Sequence, residues 1–196
     1  TSEKIYFARI DRPYKKSEFC VADTGTGDVT VLLAEESQPY LNARFMNAYI
    51  LNGGKEFIWW SERDGYGHFY LYDSKGKLKR RLTSGKYMAV GIMNVDEKKR
   101  LVYFAGCGKE HGVDPYYSFY YRVSLDGGPV KTLTPENATH SFSMPDSMNY
   151  FVDTYSRVDL VPVSVLRDSS GTVIMKLETM DVSRLKASGW QPPVPF

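Results

Sequence analysis

Cysteine is scarce in this sequence. Cys20 and Cys107 are the only two in 196 residues, too far apart to suggest a disulfide framework and without a zinc-type partner nearby. Cys20 sits in the apolar strand pattern Glu18-Phe19-Cys20-Val21 and is expected as a buried thiol; Cys107, between Gly106 and Gly108, is expected in an exposed loop. Charge of one sign is lacking too. The 25 Lys and Arg against 23 Asp and Glu leave a net +2 with both signs interspersed, which gives no electrostatic footprint for nucleic acid or an anionic membrane. No apolar run approaches the roughly 20 residues of a membrane span. No Gly-x-Ser-x-Gly string occurs, so the strand-to-helix turn that carries a hydrolase serine is not encoded here.

Aromatic and β-prone residues are plentiful. The chain is 42% apolar and 14% aromatic, with 15 tyrosines, enough to bury a core in which many rings pack while their hydroxyls reach water. The stretch from Trp59 to Gly85 shows the plan. The apolar run Phe57-Ile58-Trp59-Trp60 is followed by a polar loop centred on Asp64-Gly65, the aromatic run His68 to Tyr72, a turn at Asp73-Ser74-Lys75-Gly76, and a polar return from Lys77 to Thr83. This is an antiparallel meander. The basic residues Lys77, Lys79, Arg80 and Arg81 read as a solvated outer strand.

The meander recurs. A turn beginning at Asp23, Asp73, Asp126 and Asp168, each with Gly close behind, precedes the last strand of each unit. Aspartate accepts backbone N–H bonds within such turns and glycine takes the left-handed position. The spacing of about 40 to 53 residues fits four-stranded propeller blades. Two units also end alike, Arg81-Leu82-Thr83-Ser84 and Thr132-Leu133-Thr134-Pro135. The expected fold is all-β: a partial, about four-blade β-propeller over 1–176, with antiparallel blades near 4–37, 47–84, 88–134 and 139–176. A two-sheet sandwich is the rival architecture. Such units bury their faces only by stacking on neighbours. The first unit lacks an opening strand, and Thr1-Ser2-Glu3-Lys4 leads straight into a strand pattern, which predicts a piece of a longer chain. Residues 177–196 differ: Asp181 is placed to cap a short helix through Val182, Leu185 and Lys186 that ends at Gly189, ahead of the proline-rich tail Trp190 to Phe196.

Candidate chemistry is sparse. His68, His111 and His140 fall in separate units, and His68 and His140 read as structural strand residues. Glu110, His111 and Asp114 share one loop and offer ligand types for a metal, but a solvated hairpin loop accounts for them, because ligation needs a defined geometry and outer shell. Glu62, Arg63 and Asp64 are expected to tie their loop. No catalytic residue, metal ligand or cofactor is assigned.

The strings SERDGYGHFYLYD, GKLKRRLTSG, DPYYSFYYRVSLDGG, KTLTPE and YFVDTYSRVDLVPVSVLRDSSG together resemble the propeller region of dipeptidyl peptidase IV in the prolyl oligopeptidase family, its bacterial members in particular, over nearly the whole chain. The resemblance implies about half of an eight-bladed propeller, with the terminal segment leading toward an α/β-hydrolase domain. It implies a parent that cleaves X-Pro or X-Ala dipeptides from peptide N-termini with a serine triad, located in the periplasm or outside the cell. The propeller would admit unfolded peptide ends and reject folded proteins. The family holds its substrate's amine with a glutamate pair; Glu35-Glu36 is set aside for that role because it follows a last strand as a connector. A Phe-Arg pair of some relatives implies a substrate-facing role for Tyr40, Arg44 and Phe45, although Arg44 and Phe45 stand in reversed order. An incomplete ring is expected to self-associate. The alternative function is a non-enzymatic, TolB-like periplasmic binding or scaffold propeller.

Overall fold

The computed structural model describes residues 3–194. Among them run fifteen strands, one short α-helix and one 3-10 turn, Asn52–Gly54. The first sheet is the antiparallel meander β1 (Lys4–Ile10), β2 (Lys16–Asp23) and β3 (Val29–Glu36). The second is β4 (Ala48–Leu51), β5 (Glu56–Ser61), β6 (His68–Asp73) and β7 (Leu78–Arg81), paired in that order. The third is β8 (Met88–Asp96), β9 (Leu101–Cys107), β10 (Phe119–Ser124) and the two-residue β11 (Lys131–Thr132). The fourth is β12 (Thr139–Ser143), β13 (Tyr150–Arg157), β14 (Leu160–Asp168) and β15 (Val173–Thr179), followed by the helix α1 (Ser183–Ala187). Each sheet is consecutive in sequence, and the aspartate turn precedes the last strand of each. By that landmark the three strands of the first sheet match the second to fourth strands of the others.

The chain divides into two compact units. One reaches to Val90 and takes in Leu125–Gly128; the other holds Gly91–Ser124 and the chain from Pro129 onward. In the first unit the first and second sheets bury Phe19, Leu32, Phe57, Trp59, Tyr70 and Tyr72 against one another. Phe57 and Tyr72 stack at 5.1 Å, and Phe19 lies 4.9 Å from Phe57. Strands β5 and β6 are buried on both faces, since Ile58, Trp60, Phe69 and Leu71 are covered as well. Each such side chain stabilises by about 1.5–3 kcal/mol relative to exposure. In the second unit Tyr103, Leu133 and Phe151 form the corresponding cluster, with Leu101, Phe142, Met144 and Met148 around it.

The repeated turn has a physical cause. The Asp73 carboxylate accepts N–H bonds from Lys75 (2.9 Å) and Lys77 (3.0 Å), and Asp168 does the same for Ser170 (2.8 Å) and Thr172 (3.0 Å). Asp23 serves Gly25 and Thr26. At Asp126 the turn's carbonyl accepts from Arg80. The repeated Leu-Thr ending also has a cause. Leu82 N–H bonds Phe69 O, and Leu133 N–H bonds Tyr120 O, both at 2.8 Å. The following threonine hydroxyl then accepts the N–H of Phe69 (3.0 Å) or Tyr120 (2.9 Å), continuing the pairing after the outer strand has left the sheet.

Several boundaries differ from the sequence expectation. Cys107 is not in the loop; it is the half-buried last residue of β9, paired through the register that sets Gly106 opposite Phe119. Pro162 lies inside β14, where the register with β13 slips between Tyr155 and Arg157, so no ladder N–H is demanded of it. The outer strand of the second unit's first sheet shrinks to two residues, Lys131 and Thr132. Asp181 sits one residue further from the helix than expected: Val182 is the N-cap, while the Asp181 carboxylate accepts the Ser183 N–H at 2.8 Å. Gly189, at φ 89°, follows the helix end.

Candidate functional site

The connector from β3 to β4, residues 37–47, folds back over the end of β5 and encloses a cavity of about 480 Å³. Glu35, Glu36, Ser37, Gln38, Tyr40 and Leu41 form one side, and Trp60, Ser61, Glu62 and Arg63 the other. The connector is fixed by Ser37 N–H to Lys15 O (3.0 Å) and Leu41 N–H to Tyr14 O (2.6 Å).

Glu35 anchors this wall. Its carboxylate accepts from Trp59 Nε1 (3.1 Å), from the Ser61 hydroxyl (2.6 Å) and from Arg63 Nη2. Ser61 is satisfied in turn, accepting the Arg63 backbone N–H and Nε, each at 3.1 Å. The Arg63 guanidinium lies over the Tyr70 ring at 4.5 Å. Burial works against its charge, but the Glu35 carboxylate and the Tyr72 hydroxyl together offset this and hold its pKa above the ordinary value. Asp64 completes the loop, accepting from Tyr70 Oη (2.6 Å) and Arg81 Nη1 (2.9 Å). The Tyr70 hydroxyl, aided by Arg81, keeps the Asp64 carboxyl below the usual range. Arg63 and Asp64 therefore tie the loop, as expected from sequence; Glu62 instead accepts from Asn42 (3.4 Å) and steadies the connector.

The three residues singled out for substrate contact are brought close but not into one wall. Tyr40, 65% exposed, lines the cavity. Phe45 packs on the cavity residue Trp60 at 5.6 Å, and the exposed Arg44 guanidinium lies 5.4 Å over Phe45. With Glu35 neutralised by Arg63, the rim keeps two carboxylates, Glu36 and Glu62, beside the amides of Gln38 and Asn42 and the apolar surfaces of Leu41, Met46 and Trp60. Such a cavity can bind a chain with a cationic group. No histidine lines it, so it offers no general base of that kind.

A second cluster lies in the other unit and was not visible in the sequence. Asp153, fully buried, accepts from His140 Nδ1 (2.8 Å) and Arg167 Nε (2.9 Å). Arg167 also donates to Glu136 Oε2 (2.6 Å) and to Gly171 O (3.0 Å). Donor atoms of Glu136, His140 and Asp153 fall within 4.8 Å of one another, but the cation that joins the two carboxylates is the guanidinium. The signal was a charge inside an apolar run, Asp153 after Phe151-Val152. His68, by contrast, is buried with its Nδ1 at the Thr83 hydroxyl and its Nε2 at Gly85 O, both 3.0 Å. Both histidines are structural strand residues, as read. Glu110 of the 109–115 loop accepts from Thr132 (3.1 Å) and pairs with Lys109, while His111 is exposed.

Consecutive antiparallel sheets, three of them four-stranded and each closing on an aspartate turn, are the blades of a β-propeller, and comparison with solved structures agrees. The chain superposes on Porphyromonas gingivalis dipeptidyl peptidase 4 with a TM-score of 0.79 at 22% identity, covering 95% of this chain and 26% of that one. A putative dipeptidyl aminopeptidase IV from Bacteroides ovatus gives a TM-score of 0.76 at 21% identity, covering 90% and 27%. Residues 1–162 match the model of the dipeptidyl peptidase IV N-terminal region, and the chain belongs to that family. Among curated proteins, a probable dipeptidyl peptidase 4 of the fungus Arthroderma benhamiae is 32% identical over 110 residues, 54% of this chain and 13% of that protein. The dipeptidyl peptidase 4 of Trichophyton rubrum matches to the same extent, 32% over 110 residues. The chain thus spans about an eighth of the curated relatives it matches in this way.

Proposed function

We propose that this chain is the non-catalytic propeller portion of a dipeptidyl peptidase IV-like serine exopeptidase, where it gates and shapes the access of peptide substrates. The parent removes X-Pro or X-Ala dipeptides from peptide N-termini outside the cytoplasm, and its own α/β-hydrolase domain carries the serine chemistry. The observation that carries this reading is the family match across 1–162 in a sequence that holds no Gly-x-Ser-x-Gly elbow. Support for a substrate-facing surface comes from the β3–β4 connector, which sets Tyr40 in a cavity wall and stacks Arg44, Phe45 and Trp60 beside it. In the intact parent, Arg44→Ala raises KM for an Ala-Pro chromogenic substrate with kcat little changed, while the pure 196-residue chain hydrolyses none. Unchanged KM removes Arg44 from the substrate path, and turnover by the pure chain overturns the non-catalytic assignment.

A further inference from the structure

The hydrogen-bond partners of His140 fix where its protons are. Nε2 stands 2.9 Å from the carbonyl oxygen of Glu136, and Nδ1 stands 2.8 Å from Asp153 Oδ1. A carbonyl only accepts, and so does an ionised carboxylate. Either neutral tautomer would press one nitrogen lone pair against an oxygen lone pair. His68 has no such conflict, because the Thr83 hydroxyl can donate to its Nδ1 while its Nε2–H donates to Gly85 O. Burial, moreover, pushes His68 toward its neutral form.

Charge balance points the same way. Asp153 and Glu136 bring two negative charges to the cluster and Arg167 one positive charge, with the side chains of His140, Asp153 and Arg167 all but fully buried. An uncompensated charge at such depth is costly. A proton on His140 makes the cluster neutral and gives every facing lone pair a donor. We propose that His140 is held as a buried imidazolium, the fourth charge of a clasp with Asp153, Arg167 and Glu136 that pins the 133–138 connector to the fourth sheet.

The connector is the element that the clasp holds. His140 holds the Glu136 carbonyl and Arg167 holds its carboxylate, so both grips on one residue depend on the cluster. The remaining groups facing the imidazole are Tyr155 of β13, whose ring lies 5.4 Å away, and Phe119 of β10 at 5.3 Å. The nearby Tyr120 of β10 and Tyr155 hydroxyls are both pushed to higher pKa, burial being the main cause. They stay neutral around pH 8 and do not compete for the proton.

The test is nitrogen-detected NMR of ring-labelled histidine in the 196-residue chain, with signals assigned by His68→Gln and His140→Gln. At pH 7.5 both His140 nitrogens should give the shifts of protonated imidazolium and His68 those of one neutral tautomer. A neutral-tautomer spectrum for His140 at pH 7.5 overturns the proposal. The wild-type spectrum decides the matter even if the His140 variant does not fold, since the His68 variant and His111 leave its signals identified by elimination.

Discussion

Gly76 approaches the carbonyl of Leu32 so closely that a β-carbon placed on it would stand 1.7 Å from the oxygen. Gly171 repeats the relationship with Leu133, at 2.7 Å. In both places the tip of one sheet's last turn lies against the backbone of the sheet before it. At these two turns the glycine is thus demanded twice, by its positive φ and by the lack of room.

Two substitutions separate those demands. Gly65 has φ 90° but nothing within 4 Å of its virtual β-carbon. Gly65→Ala should cost only the left-handed penalty, about 1–2 kcal/mol. Gly76→Ala, at φ 77°, should cost that and a forced separation of the two sheets, about 4 kcal/mol or more in total. Urea unfolding of the two variants measures the difference, and equal midpoints would mean that the turn does not bear on Leu32.

Glu35 is the centre of the cavity wall. Glu35→Gln removes the charge that Arg63 faces and weakens the bonds from Trp59 and Ser61. The pair is partly solvated, with Arg63 32% exposed, so the loss should be about 1–2 kcal/mol. Trp59 fluorescence should change as its indole N–H exchanges a charged acceptor for a neutral one. The exposed neighbour Glu36 serves as control, since Glu36→Gln should change stability by less than about 0.5 kcal/mol.

Acid should loosen the fold in two stages. Burial holds His68 below its ordinary value. The folded state therefore binds fewer protons than the unfolded one below pH ~6.5, and the stability this gives is lost as pH falls through the folded value. The carboxyls of Asp64, Asp73 and Asp168 are also held down, by the Tyr70 hydroxyl, the Lys77 backbone N–H and the Ser170 hydroxyl respectively. Their contribution is present above the ordinary carboxylate range near pH ~4 and disappears below it. Thermal midpoints from pH 7 to 3 should show both stages, and His68→Gln should remove the first alone.

The last strand of the fourth sheet, β15, exposes Val173, Ile174, Met175 and Leu177, which alternate onto both of its faces. Unpaired edges and apolar faces of this kind associate. We expect the chain to self-associate at high concentration, measured by light scattering, and Met175→Lys with Leu177→Lys to shift it toward monomer. A monodisperse wild-type monomer would remove the expectation.

Much of the fold was legible because it is written locally. Strand alternation, the Asp-to-Gly turns and the Leu-Thr endings each lie within a few residues, and each proved to have its own backbone bond. What escaped notice depends on register between distant strands. Glu35 meets Arg63 only because β3 and β5 lie in neighbouring sheets, and His140, Asp153 and Arg167 meet because Phe142 pairs with Asp153 and Phe151 with Arg167. Those pairings set the three side chains on one face, diagonally across adjacent strands. No spacing rule along the chain announces such a meeting. The Cys107 misplacement had a simpler origin: flanking glycines suggested a turn, and the strand carried on through one of them.

The hairpin tips tell a different story from the roots. The β5–β6 loop occupies 62–67 and the β9–β10 loop 108–118, yet the same Leu-Thr bonds follow both. Length at the tip is therefore decoupled from the scaffold beneath it, and a foreign peptide spliced at Gly112 should be displayed without cost to folding. Natural lineages could lengthen or trim that loop as freely.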